Sequence, residues 1–178
     1  MSKIFAPCLI VVVFTALTLG AQTHPPSQLT TQRIQKEVRH ELLMLPYVTL
    51  FDNLAYGVDG DKVTLLGQVT NPSVKSDAEK AVKSIEGVEQ VDNKIEVLPP
   101  SPMDDRLRIA LFHAIYGFAP LEKYNMGVNR SIRIIVKGGH VTLEGVVDSQ
   151  ADKDAAGLRA NGVSGVFSVT NNLQVVKS

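Results

Sequence analysis

Two stretches of the chain alternate apolar and polar residues with a period of two. Val63, Leu65, Gly67 and Val69 are interleaved with Thr64, Leu66 and Gln68, and Val141, Leu143, Gly145 and Val147 repeat the pattern. That period predicts half-buried strands. Leu54–Val58 and Ile132–Val136 precede them and read as shorter strands, joined to the longer ones through turns at Gly60 and Gly138, where glycine tolerates positive φ. A glycine on the inward face predicts a close backbone approach, here by a helix lying across the sheet. After each pair the period changes. Val74, Ala78, Ala81, Val82 and Ile85 share one helical face, as do Ala155, Ala156, Ala160 and Val163. Asn71 and Ser149 stand where an N-cap is needed. Pro72 suits a first helical position, and Ser149 with Asp152 resembles a capping box. Gly87 and Gly165 end these helices. Val91, Asn93, Ile95 and Val97, and Val169, Asn171, Leu173 and Val175, form last strands. Upstream, Ile34, Val38, Leu42 and Leu45 predict a helix stopped by Pro46, and Leu107, Leu111, Ala114 and Ile115 predict its counterpart.

The pattern occurs twice because the chain repeats itself. Displaced by 78 residues, Gly57–Val97 lies over Ile135–Val175 without gaps, and 14 of 41 columns are identical. They include Val63-Thr64-Leu65 over Val141-Thr142-Leu143, Gly67 over Gly145, Gly87-Val88 over Gly165-Val166, and Asn93 over Asn171. Each unit therefore reads helix–strand–strand–helix–strand: an α+β layer of two helices on a three-stranded mixed sheet. Residues 31–98 form the first domain and 103–178 the second, with a Pro-rich linker at 99–102 and a flexible lead-in at 22–30. Units of this size have marginal cores, so the two are expected to pack on each other.

Residues 1–21 read as an address. Lys3 precedes an apolar run from Ile4 to Leu19, then Gly20 and Ala21. This is the layout of a secretory signal peptide, with an uncleaved anchor as the alternative. Cys8 is the one cysteine, so no internal disulfide can form. Eighteen basic and eighteen acidic residues give no net charge, which argues against a uniformly basic nucleic-acid binder. The balance differs between units: net −3 over Thr31–Leu98 and +2 over Met103–Ser178.

Reactive constellations are missing from the pattern. His24, His40, His113 and His140 have no metal-ligand spacing, and no serine sits in a nucleophile-elbow setting. Asp104-Asp105 precedes a helix and is expected to cap it. The second unit carries a longer insert, Gly117–Ser131. Phe118, Tyr124 and Met126 lie there beside Lys123 and Arg130, with Arg106 and Arg108 on the preceding helix. Cations with exposed aromatics suit an anionic membrane interface or a partner. The alternative is that the apolar residues pack under the loop and the cations are solvated.

The segment Gly60-Asp61-Lys62-Val63-Thr64-Leu65-Leu66-Gly67-Gln68-Val69, the helix with Ala78 and Ala81, and Gly87-Val88-Glu89-Gln90-Val91-Asp92-Asn93 resemble the BON domain. The second copy is Gly139-His140-Val141-Thr142-Leu143-Glu144-Gly145-Val146-Val147, Ala155-Ala156 and Gly165-Val166-Phe167-Ser168-Val169-Thr170-Asn171. The resemblance implies a non-enzymatic, exported, periplasmic protein without cofactor. It would bind an anionic phospholipid surface and support envelope integrity or osmotic-stress protection. The alternative is a periplasmic chaperone or adaptor binding envelope proteins through its sheet or an interdomain groove.

Overall fold

The computed structural model describes residues 28–126 and 130–176. The apolar run at Ile4–Leu19 lies outside them. The first unit consists of α1 (Gln28–Leu43), β1 (Asn53–Asp59), β2 (Lys62–Val69), α2 (Pro72–Lys83), β3 (Gln90–Asn93) and β4 (Glu96–Val97). The second consists of α3 (Pro102–Tyr116), a 3-10 helix (Ala119–Asn125), β5 (Ile132–Lys137), β6 (His140–Val147), α4 (Gln150–Asn161), β7 (Ser168–Asn171) and β8 (Gln174–Val175). In each unit the second strand is central. β2 pairs antiparallel with β1 and parallel with β3 and β4, and β6 does the same with β5, β7 and β8. The fold is α+β with two mixed sheets.

The expected third strand is broken into two short pieces in both units, and the repeated asparagine explains the break. Asn93 Oδ1 accepts from Ile95 N–H at 3.2 Å, while Asn93 Nδ2 donates to Lys75 O at 2.9 Å. Asn171 repeats both bonds, to Leu173 N–H at 3.3 Å and Lys153 O at 2.7 Å. The side chain bends the strand and ties it to the helix. The inward-facing glycines also have a different role from the one expected. Gly67 and Gly145 have φ of +113° and +123°, and a Cβ would lie 2.0 Å from Asn53 O or 1.8 Å from Ser131 O. The approaching backbone is that of Asn53 in β1 and of Ser131 immediately before β5, not that of a helix.

Helix ends follow local chemistry. Asn71 accepts from Ser73 N–H at 2.9 Å, and Ser149 from Asp152 N–H at 3.1 Å. Asp104-Asp105 does not cap α3. Ser101 does, accepting from Asp104 N–H at 3.2 Å, with Pro102 as the first helical residue. Buried Asp104 instead takes the N–H groups of Gly138 and Gly139 at 2.8 and 2.9 Å, holding the turn between β5 and β6. In α1 the buried stripe is Ile34, Val38 and Leu42, and Leu45 falls beyond the helix end. Helix α1 also takes in residues 28–30 of the expected lead-in.

The first core is built from Ile34, Val38, Leu42, Val63, Leu65, Val69, Val74, Ala78, Val82 and Ile95. The second contains the equivalent strand residues Val141, Leu143, Val147 and Leu173 and helix residues Ala156 and Ala160, and also Leu50, which comes from the first unit, with Phe51 packed against it. Ile134 N–H donates to Leu50 O at 2.9 Å, Arg133 donates to Thr49 O at 2.8 Å, and Lys137 pairs with Glu96 at 2.5 Å. The two units therefore touch through the segment that enters β1 and through the end of β4.

Candidate functional site

The residues singled out in the second unit separate into internal and surface groups. Arg108 is buried, with Nη1 on Asp105 at 2.5 Å and Nη2 on Val136 O at 2.7 Å, while its Nε has no partner among the described residues. Tyr124 is buried as well. Its hydroxyl donates to Asp152 at 2.7 Å and accepts from Asp148 N–H at 2.7 Å. Lys123 pairs with Asp148 at 2.9 Å and Asp152 at 3.1 Å. Phe118 is half-buried under the Arg159 guanidinium, 5.2 Å from the ring centre. Arg106 is exposed on α3. Met126 is 77% exposed. Arg130 donates to Asn125 Oδ1 at 2.6 Å and lies over the Phe112 ring.

Sequence reading missed the polar knot formed by Lys123, Tyr124, Asp148 and Asp152. Asp152 occupies the column of core Val74 and is only 8% exposed. Burial alone would raise its pKa, but hydrogen bonds from Tyr124, Lys123 and Ser149 outweigh burial and hold it below the ordinary aspartate value. The two carboxylates drive the Lys123 ammonium upward, and burial raises the Tyr124 phenol. The Asp152 carboxylate therefore bonds to the insert instead of completing a capping box. An aspartate in a column filled by valine in the other copy was the available signal. The knot anchors the 3-10 helix to α4. Its members are mutually saturated, which suits a structural role.

The open feature lies between the units. A cleft of about 520 Å³ is lined by the end of α1, the lead into β1 and two arginines of the second unit. Leu42, Leu45, Val48 and Leu54 give it an apolar wall, and Arg39, Arg130 and Arg133 supply charge. None of these three arginines is paired with a carboxylate among the described residues. Burial lowers the pKa of Arg133 from its ordinary value. The carboxylate in the cleft, Asp52, is saturated by four bonds of 2.6–2.8 Å from the N–H and hydroxyl groups of Thr49 and Thr70. Leu43 is part of its lining, and the turn that follows α1 carries Met44 at 68% exposure and Tyr47 at 72%, with Tyr47 at φ +66°. Only Arg130 of this group had been singled out from sequence. The others gather through the turn after α1 and the contact between units, which local periodicity does not encode.

The cleft runs along the outer edge of β1, whose equivalent in the second unit is β5. On β5, Ile132 O accepts from Tyr116 Oη at 2.6 Å, Ile134 N–H donates to Leu50 O, and Val136 O accepts from Arg108. Burial pushes the Tyr116 phenol up to about 12, against the lowering effect of that bond. In the same register, Leu54, Tyr56 and Val58 turn their backbone groups outward from β1. Those groups have no partner among the described residues. No group of histidine, cysteine or carboxylate side chains among the described residues is placed to hold a metal, and no helix there is long and apolar enough to cross a membrane.

The doubled layer, with its paired glycines and strand-breaking asparagines, defines a tandem α+β module. The BON domain family model matches residues 30–99 and again 124–177. The chain belongs to the BON-domain family and carries the domain twice. A curated relative, osmotically-inducible protein Y of Escherichia coli (strain K12), is 30% identical over 133 residues, or 68% of this chain. The match spans 61% of that relative's length. Among solved structures, CdsD, a structural protein of the type III secretion system of Chlamydia trachomatis, aligns over 82% of this chain and 93% of its own. The identity is 12% and the TM-score 0.32, too weak a likeness to carry an argument.

Proposed function

We propose that this is a non-enzymatic, exported envelope protein that binds anionic phospholipid surface and supports envelope integrity or osmotic-stress protection. The observation that carries the reading is the cleft that gathers Arg39, Arg130 and Arg133 with exposed Leu43, next to the turn after α1 that carries exposed Met44 and Tyr47. Large apolar side chains next to cations without carboxylate partners suit a headgroup interface. Exposed Met126 follows Asn125, the partner of Arg130, and Arg106 adds an exposed cation on α3. Buried Arg108 and Tyr124 and ion-paired Lys123 support the scaffold in this reading, and half-buried Phe118 packs beneath it. The apolar run at Ile4–Leu19 supports export, and the relative's name supports the osmotic role.

Each cation at an anionic surface contributes about 1 kcal/mol, so three give about 3 kcal/mol before any apolar insertion. Binding should be reversible and salt-sensitive. Co-sedimentation with phosphatidylglycerol and phosphatidylcholine vesicles tests this. The protein should pellet with the anionic vesicles at low salt and be released as salt rises. A variant with Met44→Ser, Tyr47→Ser and Arg39→Glu should stay in the supernatant. Equal pelleting of variant and parent, or no pelleting at low salt, would refute the reading.

A further inference from the structure

We propose that the outer edge of β1 is a docking site for an extended, acidic-flanked peptide segment of a partner protein, which adds to the first sheet as an extra strand. This goes beyond the membrane reading, because it uses the backbone edge and floor of the cleft rather than the exposed side chains beside it. The molecule shows the chemistry in its own second unit. There the equivalent edge is capped by the turn at Leu50–Phe51: Leu50 O accepts from Ile134 N–H, and the Leu50 side chain packs in the second core. In the first unit, Tyr56 occupies the place of Ile134 in the same register. Its outward N–H has no partner among the described residues, and the adjacent cleft is open.

An unpaired edge is a template for strand addition, in which main-chain bonds give affinity and pockets for alternate side chains give specificity. The pocket here is the apolar wall of Leu42, Leu45 and Leu54, which suits a large aliphatic residue. The charge sets the flanks. Arg39, Arg130 and Arg133 face the cleft, whereas Asp52 is already satisfied by its two threonines. Acidic residues on either side of the aliphatic one would complete the arrangement. An acyl chain could fill the same wall, but it has neither donor nor acceptor for the row of backbone groups at Leu54, Tyr56 and Val58.

The test uses the chain from Gln22 onward, labelled with 15N, and a peptide with the sequence of residues 48–51 flanked by two aspartates on each side. Hydrogen exchange and amide shifts are followed during titration. The expected result is at least tenfold slower exchange at Tyr56 and Val58. Binding should weaken about tenfold in Arg39→Glu and vanish for a peptide with proline in place of its leucine. Three results would each overturn the proposal: unchanged exchange at both amides, perturbation centred on Ile134, or equal protection by phosphatidylglycerol vesicles alone. The last would assign the edge to lipid.

Discussion

β5 and β1 are equivalent strands with opposite fates. A tyrosine hydroxyl, a leucine carbonyl and a buried arginine close the outer edge of β5. The outer edge of β1 faces a cleft. The second unit contains two things the first lacks. One is the insert, whose 3-10 helix buries Leu121 and Tyr124 in the core and is anchored through Asp152. The other is the segment carrying Leu50 and Phe51, supplied by the first unit. Duplication preserved the sheet and its turns, whereas the added segments completed one copy and left the other with an open side. In tandem modules, functional surface can therefore arise where one copy lacks what the other has acquired.

The largest effect should come from the shared framework. Gly145→Ala places a methyl against Ser131 O at positive φ, and strain with a backbone clash should cost at least about 3 kcal/mol. Thermal unfolding followed by circular dichroism should show loss of the second unit's cooperative transition. Gly67→Ala should do the same to the first unit. A change below about 1 kcal/mol in either would break the explanation that both glycines are required by a close backbone approach.

Leu50→Ala sharpens the contrast, because its effect should appear in the other unit. Removing this buried side chain should cost about 2–4 kcal/mol, and urea titration with amide exchange should locate the loss at β5 and α3. Loss confined to α1 and β1 would mean that Leu50 belongs to its own unit's core.

Asp152→Val restores the residue type of the first copy and leaves the buried Tyr124 hydroxyl without an acceptor, while Lys123 keeps Asp148. The expected cost is about 1–2 kcal/mol at neutral pH. The folded carboxylate titrates below the ordinary aspartate value, so its stabilisation is present above about pH 4 and lost as pH falls through the folded value. The parent should therefore lose stability on acidification more steeply than the variant, as read from denaturant midpoints across pH 2–7. Parallel acid limbs would remove Asp152 from the account. The smallest effects should come from Asn93→Ala and Asn171→Ala, about 1 kcal/mol each and equal within error. Unequal losses would show that the strand break is not a common device.

Much of the fold was legible because it is written locally and written twice. Alternation at Val63–Val69, the Asn71-Pro72 start and the glycine turns each carry their own physical signal, and the repeat doubles it. Asn93 was visible as an identity, but its action across 18 residues to Lys75 O was not. Gly67 announced a close approach without saying which backbone approached. The site was far less legible. Arg108 and Tyr124 look like surface residues until Asp105, Val136 O and Asp152 are brought to them through the fold. Arg39 and Arg133 meet at one cleft only because Leu50 crosses from one unit to the other.

The most direct test compares two amides in the free protein. Native-state hydrogen exchange of Ile134 and Tyr56 reads the closed and open edges at equivalent positions under the same conditions. The account predicts exchange at Ile134 at least about 100-fold slower than at Tyr56, with the difference collapsing in Leu50→Ala as Ile134 loses protection. Equal protection of the two amides in the parent would contradict it, because β1 would then already be paired.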